Sequence, residues 1–130
     1  MIVIDSQSRK PIYEQIVERV ENLIAAGAFA PGSQLPSIRS LAVELSINPN
    51  TIQKAYGILE QRGAIYAVKG KGNFVAGQEQ VLARMRENCF QQFEANVRYG
   101  RSLGISEKEF TGKVKKYYKE GQDDRDNRRK

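Results

Sequence analysis

The sequence predicts a mainly α chain with one small β-hairpin, arranged as a winged helix-turn-helix domain followed by a two-helix appendage. Three observations lead there. Apolar residues recur at helical spacing in three short segments before residue 63. The pattern then changes to two short β-prone runs joined by Gly70-Lys71-Gly72. Beyond Gly77 helical spacing returns in two further segments.

Residues 1–10 are short and read as extended, and Pro11 then opens the first helix. Ile12, Ile16, Val20, Leu23 and Ile24 form its apolar stripe, with Tyr13 and Val17 beside it. Gly27 ends it, and Pro31-Gly32 marks a turn, because Pro presets φ and Gly accepts φ > 0. Ser37 is a suitable N-cap for a second helix carrying Ile38, Leu41, Ala42 and Leu45. Ser46-Ile47-Asn48 is the connecting turn.

The third helix starts at Asn48-Pro49-Asn50-Thr51 and stops at Gly63. Asn48 caps it, and Pro49 takes the first helical position, where a missing N–H costs nothing. Ile52, Ala55, Tyr56 and Leu59 share the inner face, which makes Tyr56 a core residue rather than a base-stacking one. Asn50, Gln53 and Lys54 face the other way. Asn and Gln can each grip adenine with two hydrogen bonds in the major groove, and Lys can reach guanine or phosphate. A helix that buries its back and offers amides and a cation near its N-terminus suits a groove-reading helix. No one of these three helices can bury its stripe alone, so they must pack together.

Ile65-Tyr66-Ala67-Val68 and Asn73-Phe74-Val75 are the strand candidates. Lys69 and Lys71 flank Gly70, and Gly72 follows. Glycine lets backbone approach a phosphate closely and lysine supplies charge. In the C-terminal part Val81, Met85, Cys89, Phe93 and Val97 recur every fourth residue, and Gly104 is a stop. Ser106 with Glu109 forms a capping box, and Ile105 with Phe110 a hydrophobic staple. Phe110, Val114, Tyr117 and Tyr118 line the last helix, which Gly121 is expected to end. The expected organisation is thus a winged helix-turn-helix over 1–77, a helical dimerisation segment over 78–121 and a charged tail without structure over 122–130.

The net charge of +6 favours polyanionic partners. No His and a single Cys exclude histidine acid–base chemistry and the usual structural zinc sets. The lone Cys89 has no partner within the chain and reads as a small buried hydrophobe, in keeping with a reducing cytoplasm. No apolar run long enough for a membrane span occurs, and no signal peptide is expected. Neither a cofactor site nor an enzymatic nucleophile–base pair is legible.

From Pro11 to Val75 the chain resembles the GntR family of bacterial transcription regulators. The resemblance rests on Pro31-Gly32, Leu35-Pro36-Ser37-Ile38-Arg39, Leu41-Ala42, Asn50-Thr51-Ile52, Ala55-Tyr56, Leu59-Glu60 and Gly70-Lys71-Gly72-Asn73-Phe74-Val75. Asn48-Pro49-Asn50-Thr51 and the brief C-terminal part look like the YtrA subfamily, in which a two-helix appendage serves dimerisation. Pro49 and Gln53 stand where many family members carry basic residues, so base contacts do not transfer from the larger subgroups. The resemblance implies DNA contact by Arg39, with Ser37 capping and donating to phosphate and Thr51 touching the backbone.

The expectation is therefore a homodimeric regulator, a repressor being the simplest form, that binds a palindromic double-stranded operator. Its DNA-facing set is Ser37, Arg39, Asn48, Asn50, Thr51, Gln53, Lys54, Lys69, Gly70, Lys71 and Gly72. Its seam comprises Val81, Met85, Cys89, Phe93, Val97, Phe110, Val114 and Tyr117. A small-molecule effector could act through that seam, although no pocket for one is legible. The competing expectation is a winged-helix protein-interaction module with weak DNA binding.

Overall fold

The computed structural model describes residues 2–129, with side chains for 2–122. It divides into two compact units, Met1–Arg86 and Glu87–Lys130.

In the first unit the order is α1 (Ile12–Ala25), α2 (Ile38–Leu45), α3 (Pro49–Gln61), β1 (Ile65–Val68) and β2 (Gly72–Val75), followed by the start of α4 (Gln78–Ser102). Ile16, Val20 and Ile24 of α1, Leu41 of α2, and Ile52 and Leu59 of α3 are almost wholly buried against one another. Each such burial contributes about 1.5–3 kcal/mol. Ile2 joins this core, which ties down the N-terminal segment.

The two strands are antiparallel, with Ile65 opposite Val75 and Val68 opposite Gly72. Side chains alternate across the pleat, so Ile65 and Val75 face the core while Tyr66 stacks on Phe74 outside, ring centroids 5.7 Å apart. The far edge of β2 is covered by the segment before α2. Gly32 N–H donates to Val75 O (2.8 Å), Val75 N–H to Ser33 O (2.9 Å) and Leu35 N–H to Asn73 O (2.9 Å).

Glu21 is a buried carboxylate at the α1–α3 contact. Arg62, just past α3, donates to its Oε1 at 2.6 Å and supplies the charge that burial would otherwise leave unpaired.

The first turns of α4 pack with this unit. Gln78 Nε2 donates to Ala25 O (2.7 Å) and Arg84 Nη1 to Arg62 O (3.1 Å). Val81 is 3% exposed in the core, and Met85 packs against it. Val81, expected in the dimer seam, is thereby withdrawn from it, while Met85 stays half-buried. The reason is geometric. Each four-residue step overshoots a helical turn by about 40°. Over the four steps from Val81 to Val97 the series therefore swings roughly 160° around the helix instead of holding one face.

The second unit holds the rest of α4 and α5 (Glu107–Arg129). Gly104, at φ +83°, takes the left-handed position that ends α4. Ile105 N–H reaches Gly100 O (3.0 Å) and Gly104 N–H reaches Arg101 O (3.1 Å), the paired bonds of a Schellman cap. Ser106 Oγ then accepts from Glu109 N–H (3.1 Å) to start α5. The Phe110 ring occupies the place of a Cβ on Gly100, so this α5 side chain packs directly on the α4 backbone there.

α5 does not stop at Gly121 but continues to Arg129, against the expected unstructured tail over 122–130. Gly121 has no positive φ. In a helix it costs about 1 kcal/mol relative to Ala, which weakens a helix without ending it. The side chains of 123–129, and Lys130 itself, lie outside the described residues.

Candidate nucleic-acid interface

α2 and α3 are joined by a tight turn. Ser46 sits in the left-handed region at φ 55°, and Ile47 N–H reaches back to Ala42 O at 2.9 Å. Both helix starts are capped as the sequence predicts. Ser37 Oγ accepts from Ser40 N–H (3.0 Å), and Asn48 Oδ1 from Asn50 N–H (2.9 Å). Pro49 occupies the first position of α3. Tyr56 locks the two helices together, since its buried hydroxyl donates to Pro36 O at 2.7 Å. Burial, and secondarily the charge of Glu44, pushes its pKa up to about 12.

With Ile52, Ala55, Tyr56 and Leu59 buried, Asn50 and Gln53 stand exposed at the N-terminal end of α3. Thr51 is half-buried beside them, and Arg39 is exposed in the first turn of α2. Lys54 differs from the expectation of a cation held out beside the amides. Its ammonium lies 3.9 Å from the centroid of the Tyr13 ring, a cation–π contact to α1. The aliphatic stem is long enough to fold back, and the ring face carries negative potential.

Gly57 lies one turn further along the same outer face. A Cβ there would meet nothing within 4 Å. Internal packing therefore gives no reason for glycine at this place.

The wing tip holds Lys69, Gly70, Lys71 and Gly72, all exposed. Lys71 N–H donates to Val68 O (3.0 Å) to close the turn, and Gly70 (φ +77°) and Gly72 (φ +119°) use backbone forbidden to most residues. Among the described residues neither lysine makes an ion pair. Sequence reasoning missed Gln34, whose Nε2 donates to Lys71 O at 2.7 Å. The two lie 37 positions apart, and no periodic signal links them.

Of the expected seam in the second unit, Phe93 (49% exposed), Val114 (39%) and Tyr117 (59%) are open to solvent, as are Phe90, Tyr99, Leu103 and Tyr118. Val97 and Phe110 are half-buried. Cys89 is exposed in the single chain. It lies beyond the part of α4 that the core covers. Among the described residues no cluster of acids and Cys could hold a metal ion, and no helix is long and apolar enough to cross a membrane.

The family model for bacterial regulatory proteins of the gntR family matches residues 12–75. The HTH-type transcriptional repressor YtrA of Bacillus subtilis is 45% identical over 76 residues, which is 58% of this chain and 58% of that protein. A GntR family transcriptional regulator from Listeria monocytogenes has a similar structure, with TM-score 0.68, 34% identity, and 87% of this chain and 98% of that one covered. The DNA-binding domain of AraR in complex with its operator ORX1 matches at TM-score 0.52 and 29% identity, over 58% of this chain and 95% of that one.

Proposed function

The chain belongs to the GntR family of bacterial transcription regulators, and from that premise we propose that it is a dimeric repressor of a two-fold symmetric operator. The carrying observation is the outer face of α3. Asn50 and Gln53 are exposed at its N-terminal end, directly opposite the buried face. Placed in the major groove, their amides discriminate bases, while Arg39 and Thr51 engage phosphates. Lys54 leaves Tyr13 for the polyanion, exchanging a cation–π contact of about 0.5–1 kcal/mol for a charge-assisted one. Lys69 and Lys71 bring the wing onto the adjacent backbone.

Dimerisation uses the helical segment over 78–121. Met85, Cys89, Phe93, Val97, Phe110, Val114 and Tyr117 remain as its seam, with Phe90 added and Val81 removed. Exposed aromatics of this number on two helices favour burial against a second copy. A two-fold axis would set the two α3 helices about one DNA turn apart, roughly 34 Å, or a multiple. Such a complex over a promoter blocks polymerase without any chemistry on the DNA. This reading places the protein in the cytoplasm, at the nucleoid.

Selection of bound duplexes from a random pool with the full chain tests the proposal. The expected result is an inverted repeat whose half-sites are about 10 base pairs, or a multiple, apart. Recovery of a lone asymmetric half-site would overturn the dimer. No enrichment even at low salt would overturn DNA binding and favour a protein-interaction module.

A further inference from the structure

We infer that Gln34 is a positioning residue that holds the wing tip in its DNA-binding shape, an inference resting on the function proposed above. Gln34 lies in the segment between α1 and α2, on the far edge of β2. It pairs with Phe74 as an isolated bridge. From there its side chain crosses to the tip, where Nε2 donates to Lys71 O at 2.7 Å. The bond is formed to the peptide of the lysine that reaches for phosphate, so it fixes where that side chain leaves the backbone.

Gly72 has a second role in this arrangement. A Cβ at 72 would stand 2.9 Å from Gln34 Nε2. The missing side chain is therefore the space in which the amide works. Gly70 and Gly72 also make the tip intrinsically loose, since glycine has the most backbone freedom to lose on ordering. A bond from a packed segment to that loose tip removes part of the ordering entropy before DNA arrives. Preorganisation of this kind appears directly in affinity.

Gln34→Met isolates the effect, because it keeps length and apolar stem while deleting the donor. The assay is duplex affinity of the full chain over a salt series, for wild type, Gln34→Met, Lys71→Ala and the double variant. Gln34→Met should weaken binding about three- to tenfold, as expected for one lost net hydrogen bond. Its salt slope should become shallower toward that of Lys71→Ala, because an unheld lysine neutralises phosphate less completely. In the Lys71→Ala background the same substitution should matter less than twofold.

A merely structural role would lower the unfolding midpoint and leave the salt slope alone. Unchanged affinity and slope in Gln34→Met, or effects that simply add in the double variant, would overturn the inference while leaving DNA binding standing. A wild-type chain that ignores duplex at low salt would overturn both together.

Discussion

Lys71→Ala and Gln53→Ala should fail in different ways, and the difference can be worked out beforehand. Lys71 is an exposed cation at the wing tip, and a dimer carries two wings. Each phosphate neutralised contributes about 0.9 to the slope of log affinity against log salt, so the double loss should flatten that slope by about 1.8. Between 50 and 200 mM salt the variant should therefore lose about 12-fold less affinity than wild type does. The change should be the same on operator and on random duplex, because phosphates carry no sequence. Gln53 is neutral, and its removal should leave the slope untouched. It should instead relax preference at one base pair per half-site by about 1–3 kcal/mol, or roughly five- to 150-fold. Fluorescence anisotropy with operator, single-base variants and random duplex, each at four salt concentrations, separates the two. A Lys71→Ala protein that changed base preference, or a Gln53→Ala protein that lowered affinity alike on every duplex, would refute the assignment of roles.

Tyr56 predicts a pH dependence at the alkaline end. Its folded pKa, pushed up to about 12, lies above the ordinary value of 10.0. The folded state therefore holds its proton longer, so the contribution is complete below pH 10 and disappears as pH rises toward 12. It amounts to about 3 kcal/mol. Urea titrations at pH 9 and pH 11.5 should show Tyr56→Phe losing less stability over that interval than wild type, and an equal loss would refute the point. Ser46→Gly should stabilise the protein. Relief of a left-handed Ser is worth about 1–2 kcal/mol, against about 0.4–1 kcal/mol for the added freedom of the unfolded chain. A melting temperature raised by a few degrees with DNA affinity unchanged is expected, and a lower one would show that Ser46 makes a contribution beyond its backbone.

The elements most legible in the sequence were those set by local chemistry. Ser37, Asn48 and Ser106 announce helix starts because a short oxygen-bearing side chain satisfies a free N–H within three residues. The exposed face of α3 was legible for a similar reason, since burial of Ile52, Ala55, Tyr56 and Leu59 leaves Asn50 and Gln53 only one direction. What escaped depended on distance or on accumulated angle. Gln34 meets Lys71 only after the hairpin folds over the preceding segment. Lys54 meets Tyr13 only after α1 packs on α3. The repeat from Val81 to Val97 looked like a stripe because each adjacent pair is nearly aligned, whereas the small error per turn sends its two ends to different surroundings.

On the proposed function, Gly57 bears on the reach of the reading helix. One turn past Gln53 that face presents the bare backbone of Gly57, ahead of the exposed side chains of Glu60 and Gln61. From residue 50 to residue 54 the helix advances about 6 Å, some two steps of a duplex whose pairs are about 3.4 Å apart. On the function proposed above, one copy would inspect about three letters and two copies about six, an address shared by roughly one site in four thousand against a million or more competitors. The missing discrimination must come from the stiffness and separation of the DNA between the two inspected triplets. Operators of this protein should consequently tolerate a changed letter better than an inserted one.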